Sequence, residues 1–538
     1  MNTLENKLNA TETAKVETVD GCIVVTVEPC QLRNAATLLR NEGYNFLFDL
    51  VGFDSEALGV EYLLSQTAQP AHLLKLKSQT NNRQHPEFPS LSSIWEVANI
   101  YEREVFDFFG ILFIDHPDLR RIFLRTDWHG YPLRKDYDAT ANDIPTHNEL
   151  IPDMETSHSI SLHGGREADE IHSLFENNEY VVNFGPQHPA MHGVLHLRVS
   201  IEGEEVKKID PNFGYIHRGI EKMCEGYTYP QILHLTDRLD YLSGTMNRHA
   251  VCLCCEKALG IEAPPRAQYV RTIFDELTRI ASHLLGWGCM CMDMGSITAF
   301  VYGMRDREKI MDVFEETAGG RLMPNYNVIG GLASDIHPNF RRRVAEFIPY
   351  MRKMLKEHHL LFTANPISAG RMKRVGKLSL EKAIALGATG PTGRASGWHN
   401  DLRKIDPYAA YGMVDFDEMI RSGGDTFDRY IIRLDEIEQS LRILEQLIDN
   451  IPQGAYCEKT KAVIRLPEGE FVQRVENSRG QFGVHITSRG DKTPWRVKFR
   501  SPSLTLVGAL KETAVSHKIA DMIMIGGSLD YVIPCIDR

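Results

Sequence analysis

The spacing of apolar residues along the chain predicts strands first and long helices later. An apolar, β-branched run over Gly21–Val27 predicts a strand. Glu28–Asn41 predicts a helix, because its apolar residues recur at helical spacing. Further strands are predicted over Phe46–Val51, Val60–Ser65 and Ala71–Lys77. Together these elements predict an α+β unit.

A second group of elements begins at Tyr180. Strands are predicted over Tyr180–Asn183 and Val194–Ile201, and the pattern then becomes helical. Long amphipathic helices are predicted over Arg266–Gly286, Phe340–Phe362 and Asp425–Ile451. Short strands or apolar runs return at Phe482–Ile486, Trp495–Arg500 and Met522–Ile525. This order predicts a helical bundle between β elements at both ends.

The predicted fold class is therefore α+β, with an N-terminal α+β docking domain joined to a mainly helical bundle domain with flanking β elements. We divide the chain into a flexible tail (1–18), a first unit (19–137), a linker (138–178) and a second unit (179–538). The linker is polar, contains Pro145 and Pro152, and shows little periodicity.

Composition and charge narrow the class of protein. The 538 residues are 43% hydrophobic and 25% charged, which is typical of a globular chain with a sizeable core. A net charge of −12 argues against nucleic acid as the main partner. Ten cysteines are too sparse for a disulfide scaffold and fit a reducing compartment. Met1–Asp20 lacks the pattern of a secretory signal, and the glycines of Leu284–Met304 favour a buried helix and loop over a membrane span.

Charged and aromatic residues alternate through Tyr101–Asp136, without the spacing of metal ligands. The residues alone predict an ion-pair network and a docking surface. The segment resembles the signature of the C subunit of NADH-quinone oxidoreductase, respiratory complex I, and the resemblance implies a structural contact surface.

A second motif, Asn183–Gly193, carries two imidazoles, His188 and His192, on a loop rich in proline and glycine. A loop histidine can be a surface residue, a metal ligand or a proton donor. The motif contains no carboxylate or cysteine at ligand spacing, which argues against a metal. The stretch resembles the quinone-cavity loop of the D subunit of the same complex.

The resemblance to the D subunit continues to the last residue. The matching segments are Asp237–Tyr241, Arg394–Gly397, Asp401–Lys404, Gly424–Arg429, Glu476–Gly480, Ser528–Asp530 and Ile536–Arg538. Nearly everything from residue 20 onward is thus similar to a fused C/D subunit. The resemblance implies a second unit like the nickel–iron hydrogenase large subunit, in the peripheral arm of a proton-pumping quinone oxidoreductase.

The resemblance also implies location, substrate and partners. The chain would lie on the cytoplasmic side of the inner (plasma) membrane, with the cluster-bearing B subunit, the ferredoxin-like subunit I and the membrane subunits H and A as partners. Quinone would be the substrate. No cofactor would be bound by this chain alone, and the terminal iron–sulfur cluster would belong to a partner subunit. We find no metal motif in this chain.

Four residues carry the implied site. His192 and Tyr241 match the family's ligands of the quinone headgroup, and Asp293 matches the acid paired with that histidine. Arg238 matches an arginine beside the partner's cluster. The chemistry agrees, because reduction of a quinone needs two protons and an unprotonated dianion would be costly in a cavity of low dielectric. Each residue also has a purely structural alternative. Tyr241 would be a half-buried tyrosine, His192 a loop histidine, Asp293 a helix cap, and Arg238 a partner in a surface salt bridge.

Two features depart from simple expectations. Met323 stands where the family often has a histidine beside the cluster, and a thioether cannot titrate. Cys252 and Cys255 form a CxxC pair inside a predicted helix; because no second pair accompanies them, we expect buried core thiols.

Two other functions remain as alternatives. A membrane-bound nickel–iron hydrogenase would need four thiolates, whereas the corresponding positions are Asp240, Ser243, Val532 and Cys535, with one thiol. A scaffold without a substrate site suits residues 20–137, where no catalytic constellation is found.

Overall fold

The computed structural model describes residues 14–19, 22–141, 158–163, 166–173, 179–188 and 193–538. The strands are β1 (Ala14–Val19), β2 (Cys22–Val27), β3 (Phe46–Asp54), β4 (Leu58–Gln66), β5 (Gln69–Thr80), β6 (Glu87–Pro89), β7 (Leu112–Ile114), β8 (His158–His163), β9 (Arg166–Ser173), β10 (Tyr180–Phe184), β11 (His196–Glu202), β12 (Glu205–Asn212), β13 (Asn327–Val328), β14 (Gly331–Leu332), β15 (Gly469–Asn477), β16 (Gly480–Ser488) and β17 (Arg496–Arg500).

Helices occupy most of the second unit. They are α1 (Leu32–Asn41), α2 (Ala98–Phe109), α3 (Ile220–Gly226), α4 (Tyr229–Thr236), α5 (Gly244–Leu259), α6 (Pro265–Asp293), α7 (Ile297–Ala318), α8 (Phe340–His358), α9 (Pro366–Met372), α10 (Leu380–Ala385), α11 (Gly390–Ala395), α12 (Leu402–Ile405), α13 (Thr426–Ile448), α14 (Pro502–Ala514), α15 (Ile519–Leu529) and α16 (Ile533–Asp537).

The first unit is built on a five-stranded sheet in the order β1-β2-β5-β4-β3. The pairing of β2 with β5 is parallel, whereas the other pairs in this sheet are antiparallel. The predicted strands and the helix after β2 are confirmed, with ends shifted by a few residues. The structure thus confirms the mixture of α and β elements that was predicted for the first unit.

Two of the predicted irregular regions contain strands. The tail predicted over 1–18 is wrong for residues 14–18, because they belong to β1, where Val16 pairs with Val25 of β2. Strands β8 and β9 form an antiparallel hairpin inside the predicted linker, with Ile160 opposite Ile171. In the sequence, the alternation of Ile160 and Leu162 before the pair Gly164 and Gly165 is the signal for this hairpin.

The second unit is organised around α6, which packs with α7, α8 and α13 in a helical bundle. Phe274 of α6 stacks on Phe314, Tyr326 and Phe340, with ring centroids 5.1, 4.5 and 5.7 Å away. The three long predicted helices are confirmed, although the one begun at Phe340 ends at His358 and continues as a short π-helix, His359–Thr363.

Glycines let α6 and α7 approach closely. A Cβ atom at Gly303 of α7 would lie 2.9 Å from the carbonyl oxygen of Leu284, and one at Gly288 of α6 would lie 3.3 Å from Phe300. The glycines of the apolar segment near residue 290 therefore serve helix contact. Throughout the residues that the structure describes, no helix is both long and apolar enough to cross a membrane.

The two units share a hydrophobic core. Apolar residues of β2–β5 and α2 form one cluster with residues of β11, α14, α15 and α16. The Tyr101–Asp136 segment lies at this contact, and the predicted ion-pair network is confirmed there: Arg120 pairs with Asp210, and Glu104 pairs with Lys498 and Arg538.

The apolar run Met522–Ile525 is part of helix α15, so its prediction as a strand is wrong. A run of four apolar residues does not distinguish a buried helix from a strand, and here α15 packs against α6 and α14. Strand β15 and helices α2 and α14 lie in segments where no element was predicted.

Candidate functional site

Tyr241 lines a small cavity between α6, α15 and the turn that joins β15 to β16. The cavity measures about 80 Å³. It is lined by Tyr241, Leu242, Leu285, Gly286, Cys289, Arg479, Gly526, Gly527, Asp530, Tyr531 and Val532. Burial raises the pKa of the Tyr241 phenol above its ordinary value of 10.0, and the positive charge of Arg479 opposes that rise. The phenol is therefore protonated at neutral pH and able to donate a hydrogen bond or a proton.

Arg479 holds the walls of this cavity together. It lies in the two-residue turn between β15 and β16, and its side chain is fully buried. One amino group, Nη1, lies 3.1 Å from Asp240 Oδ2, beside Tyr241 in the chain. The other, Nη2, lies 3.2 Å from Asp530 Oδ1. Three distant segments are thus fixed around one guanidinium.

Asp293 is the last residue of α6 and is half-buried. A Cβ atom at Gly527 would lie only 3.0 Å from Asp293 Oδ2, so glycine at this position allows the carboxylate to approach the cavity wall closely. Asp293 also acts on Tyr531, whose pKa is raised by burial and further by this negative charge. Tyr241 and Gly527 therefore line the same cavity, whereas Asp293 contacts the lining residue Gly527 and is not itself among the described lining residues.

His192 lies outside the residues that the structure describes, but both ends of its loop are described. A Cβ atom at Gly185 would lie 2.0 Å from the carbonyl oxygen of Leu195, so the loop is closed tightly at its base. Gly193 packs against Ile533, which follows the cavity residue Val532. The loop thus returns to the sheet beside the cavity.

Arg238 is exposed on the turn that follows α4. Its neighbour Asp237 is buried and pairs with Arg248, at 3.4 Å. Arg248 also binds Asn325 Oδ1 at 2.9 Å, and the Asn325 amide donates to the carbonyl oxygen of Met323. The segments that carry Arg238 and Met323 are therefore joined through one arginine.

Of the four positions weighed as nickel ligands, Asp240 and Ser243 contact the guanidinium of Arg479. Nη1 of Arg479 lies 3.3 Å from Ser243 Oγ, in addition to its pairing with Asp240. Cys535 Sγ lies 2.9 Å from Ser501 Oγ, and burial raises the pKa of this thiol to about 11. A protein cation thus lies among these side chains, and one thiol cannot form the four-thiolate centre of a hydrogenase.

Cys252 and Cys255 are buried within α5, as predicted for core thiols. Burial raises the pKa of Cys252 to about 12 and that of Cys255 well above its ordinary value. Thiols of this kind are poor metal ligands and poor nucleophiles, because the thiolate is the reactive form.

One other group of potential metal ligands occurs among the described residues, between the two units. Glu61, Glu470 and His485 place ligand atoms within 4.8 Å of one another. The ammonium of Lys75 lies 3.0 Å from a carboxylate oxygen of both glutamates. This lysine already neutralises the acidic pair, so we interpret the group as an ion-pair network that joins the units.

The sequence motifs contained Arg479 and Asp530, but no role was assigned to either residue, and Tyr531 was not singled out at all. Within the described part of the chain, Arg479 and Asp530 are the charged residues that line the cavity. Asp530 could have been singled out as a charged residue in a largely apolar stretch, whereas Arg479 stands among polar residues and gives no such signal.

Comparisons with known proteins agree with the geometry in both units. Residues 25–143 match the model of the respiratory-chain NADH dehydrogenase 30 Kd subunit, and residues 293–465 and 458–538 match that of the 49 Kd subunit. The NADH-quinone oxidoreductase C/D subunit of Phocaeicola vulgatus is 55% identical over 93% of this chain and 96% of its own length.

The corresponding protein of Bacteroides thetaiotaomicron is 53% identical over 95% of this chain and 99% of its own. A separate D subunit, from Desulforamulus reducens, is 44% identical over 67% of this chain and 99% of its own length. The chain therefore belongs to the family of fused C/D subunits of NADH-quinone oxidoreductase, the subunits of respiratory complex I that join a 30 Kd and a 49 Kd domain.

Proposed function

We propose that this chain forms the quinone-reduction cavity of a proton-pumping NADH-quinone oxidoreductase, next to the terminal iron–sulfur cluster of a partner subunit. The observation that carries the proposal is the cavity beside Tyr241, which is lined by a half-buried phenol, a guanidinium and a carboxylate, with Asp293 against the lining residue Gly527. The likeness of the second unit to nickel–iron hydrogenase large subunits stays a prediction.

The cavity of about 80 Å³ holds part of a substrate only, since complete ligand pockets usually measure about 300 Å³ or more. In this proposal the remaining walls come from partner subunits, namely the cluster-bearing B subunit and the membrane subunits H and A. The ferredoxin-like subunit I completes the set of partners. An incomplete pocket is what a site shared between subunits requires.

Tyr241 donates the first proton in this proposal. A quinone oxygen that accepts electrons gains basicity, and a phenol at hydrogen-bond distance protonates it before charge accumulates. Burial keeps the phenol neutral until this moment, because it raises the pKa of Tyr241. Water outside the cavity restores the proton afterwards.

His192 protonates the second quinone oxygen, and Asp293 holds the imidazole in its charged form until transfer. A nearby carboxylate favours an imidazolium, so the histidine binds the quinone as a donor. The close approach of Asp293 to Gly527 supports this assignment, because it directs the carboxylate to the wall shared with Tyr241.

Arg238 provides a fixed positive charge facing the partner subunit that bears the cluster. Its exposure in this chain suits a residue that is covered on assembly. A cation at this position favours the reduced cluster and raises its potential. The chain would then lie on the cytoplasmic side of the membrane, attached through its partners.

The test replaces Tyr241 by Phe and His192 by Ala, separately, in the assembled complex. We expect quinone reduction to fall by at least about tenfold in each variant, because a general acid is lost. Electron transfer from the donor to a soluble artificial acceptor should remain, since it bypasses the quinone.

Matched controls are Tyr456→Phe and His399→Ala, which alter an exposed tyrosine and an exposed histidine. Both controls should retain normal quinone reduction. If Tyr241→Phe and His192→Ala also retained normal turnover in complexes of normal composition, the proposed site would be wrong. Labelling by a photoreactive quinone near Tyr241 would separate a substrate site from a scaffold.

A further inference from the structure

Arg479 is the one cation among the described residues that line the cavity, and its surroundings are unusual for a structural arginine. Its guanidinium is fully buried, and within the described part of the chain its carboxylate partners are Asp240 and Asp530. Nε of Arg479 is buried with no hydrogen-bond partner in the described structure, whereas Oδ2 of Asp530 forms an ion pair at 3.6 Å with Nε of the buried Arg433. A polar group left unsatisfied in this way is costly and calls for an explanation.

The neighbouring charges define the field that Tyr241 experiences. Besides Arg479, the groups that act on its phenol are Asp240 in the same turn, Cys289 on α6 and Arg307 on α7. Arg479 and Arg307 lower the pKa of the phenol, whereas Asp240 and Cys289 raise it. The largest influence is burial, which raises that pKa, and Arg479 gives the largest opposing effect.

We propose that Arg479 is a positioning residue for quinone reduction, which fixes the Tyr241 turn to the Asp530 segment and stabilises the phenolate that remains when Tyr241 gives up its proton. This inference rests on the proposed function. It adds a named residue that acts through Tyr241 and through Asp240, and not by direct proton transfer.

The step balances in protons and electrons. The iron–sulfur cluster of the partner subunit would supply the two electrons. The O–H bond of Tyr241 breaks, and a new O–H bond forms at one quinone oxygen; His192 supplies the second proton. The products are a quinol, a phenolate beside Arg479 and a neutral imidazole, and both side chains regain protons from water.

An electrostatic role and a purely structural role predict opposite shifts in the pH profile. If Arg479 stabilises the phenolate, its loss raises the pKa of Tyr241. If Arg479 only holds the walls together, its loss lets water reach the phenol, and reduced burial lowers that pKa. The direction of the shift therefore decides between the two roles.

The experiment uses the assembled complex with a fluorinated tyrosine at position 241, whose more acidic phenol brings the alkaline limb of kcat into a measurable pH range. In this background, Arg479→Gln should lower kcat about tenfold and move the alkaline limb upward by about one pH unit. Arg479→Lys, which keeps the charge, should leave the limb within about 0.3 pH units and restore most of kcat.

A second variant decides the question if Arg479→Gln does not assemble. Asp530→Asn removes the carboxylate 3.2 Å from Nη2, so the charge of Arg479 is less neutralised and the limb should move downward. An unchanged limb in assembled Arg479→Gln or Asp530→Asn, or a downward shift in Arg479→Gln, overturns the inference.

The outcome for Tyr241→Phe separates this inference from the proposed function. If Tyr241→Phe turns over normally, the proposed site itself has failed. If quinone reduction is slow in Tyr241→Phe but the alkaline limb of kcat does not depend on the charge at position 479, only the role of Arg479 is wrong.

Discussion

The guanidinium of Arg538 forms a buried ion pair with Glu104, with Nη2 and Oε2 2.8 Å apart. Glu104 lies on α2 of the first unit and also binds Lys498 of β17 in the second unit. One carboxylate of the first unit thus neutralises two buried cations of the second, and this pairing fixes how the fused units pack together.

We predict that Glu104→Gln destabilises the chain by about 3–5 kcal/mol, because two buried cations lose their shared carboxylate. Denaturant unfolding of the purified full-length chain measures this change. The control is Glu346→Gln, which breaks an exposed pair with Arg342 on α8 and should cost less than about 0.5 kcal/mol. Equal stability of Glu104→Gln and wild type would show that the buried pairs are not needed for the contact.

Gly214 also joins the units, through its backbone. Its φ is +93°, and a Cβ atom would lie 2.0 Å from the carbonyl oxygen of Phe123 in the first unit. We predict that Gly214→Ala lowers the free energy of unfolding by at least about 3 kcal/mol, because a left-handed conformation and a backbone clash are combined.

Gly203→Ala is the matched control for Gly214→Ala. Gly203 also has a positive φ, +64°, but nothing lies within 4 Å of its Cβ position. Its cost should be limited to the backbone strain of about 1 kcal/mol. Thermal unfolding of the two variants, measured side by side, isolates the steric effect of Phe123. Equal losses of stability in the two variants would contradict that steric effect.

Asp237 predicts a pH dependence of stability. Burial raises the pKa of Asp237 from 3.8 to about 7, and Arg248 opposes the rise only in part. Between these two pKa values the Asp237 carboxyl is ionised in the unfolded chain but keeps its proton in the folded chain. Folding therefore becomes less favourable as pH rises from about 4 to 7. Above pH 7 the cost is constant, at about 2–4 kcal/mol.

The direction of this change in stability with pH is tested by Asp237→Asn, whose side chain cannot ionise. Relative to wild type, the variant should gain stability as pH rises from 4 to 7 and show no gain at pH 4. The exposed Asp449 provides a control, since Asp449→Asn should leave the pH dependence of unfolding as in wild type. A constant difference between Asp237→Asn and wild type at every pH would contradict the burial argument.

The cysteines predict a labelling pattern. Cys30 is exposed, whereas Cys252 and Cys255 are buried and have raised pKa values. At pH 8 a small alkylating reagent should modify Cys30 rapidly and the α5 thiols only after unfolding, because alkylation requires an accessible thiolate. Mass spectrometry of the native and the unfolded chain measures both. Stoichiometric zinc that is lost in Cys252→Ala would show a metal site instead.

Elements with clear periodicity were predictable from the sequence. Helices α6, α8 and α13 were placed because each has a continuous apolar stripe, and β2 because of its β-branched run. Helix α2 was missed because Glu102, Arg103, Glu104 and Asp107 are charged residues that suggest an exposed segment, whereas all four are buried in the structure. Its charged residues are neutralised by partners that are distant in sequence.

The sequence by itself determined the family and the order of its two parts, and it predicted Tyr241 and Asp293 as site residues, since motifs are local. Only the tertiary structure decided that Arg479 lies between Asp240 and Asp530. These residues are 239 and 51 positions from Arg479, and no local pattern encodes such a distance. The reason is physical: a buried charge is tolerated only where the folded chain brings its counter-charges to it.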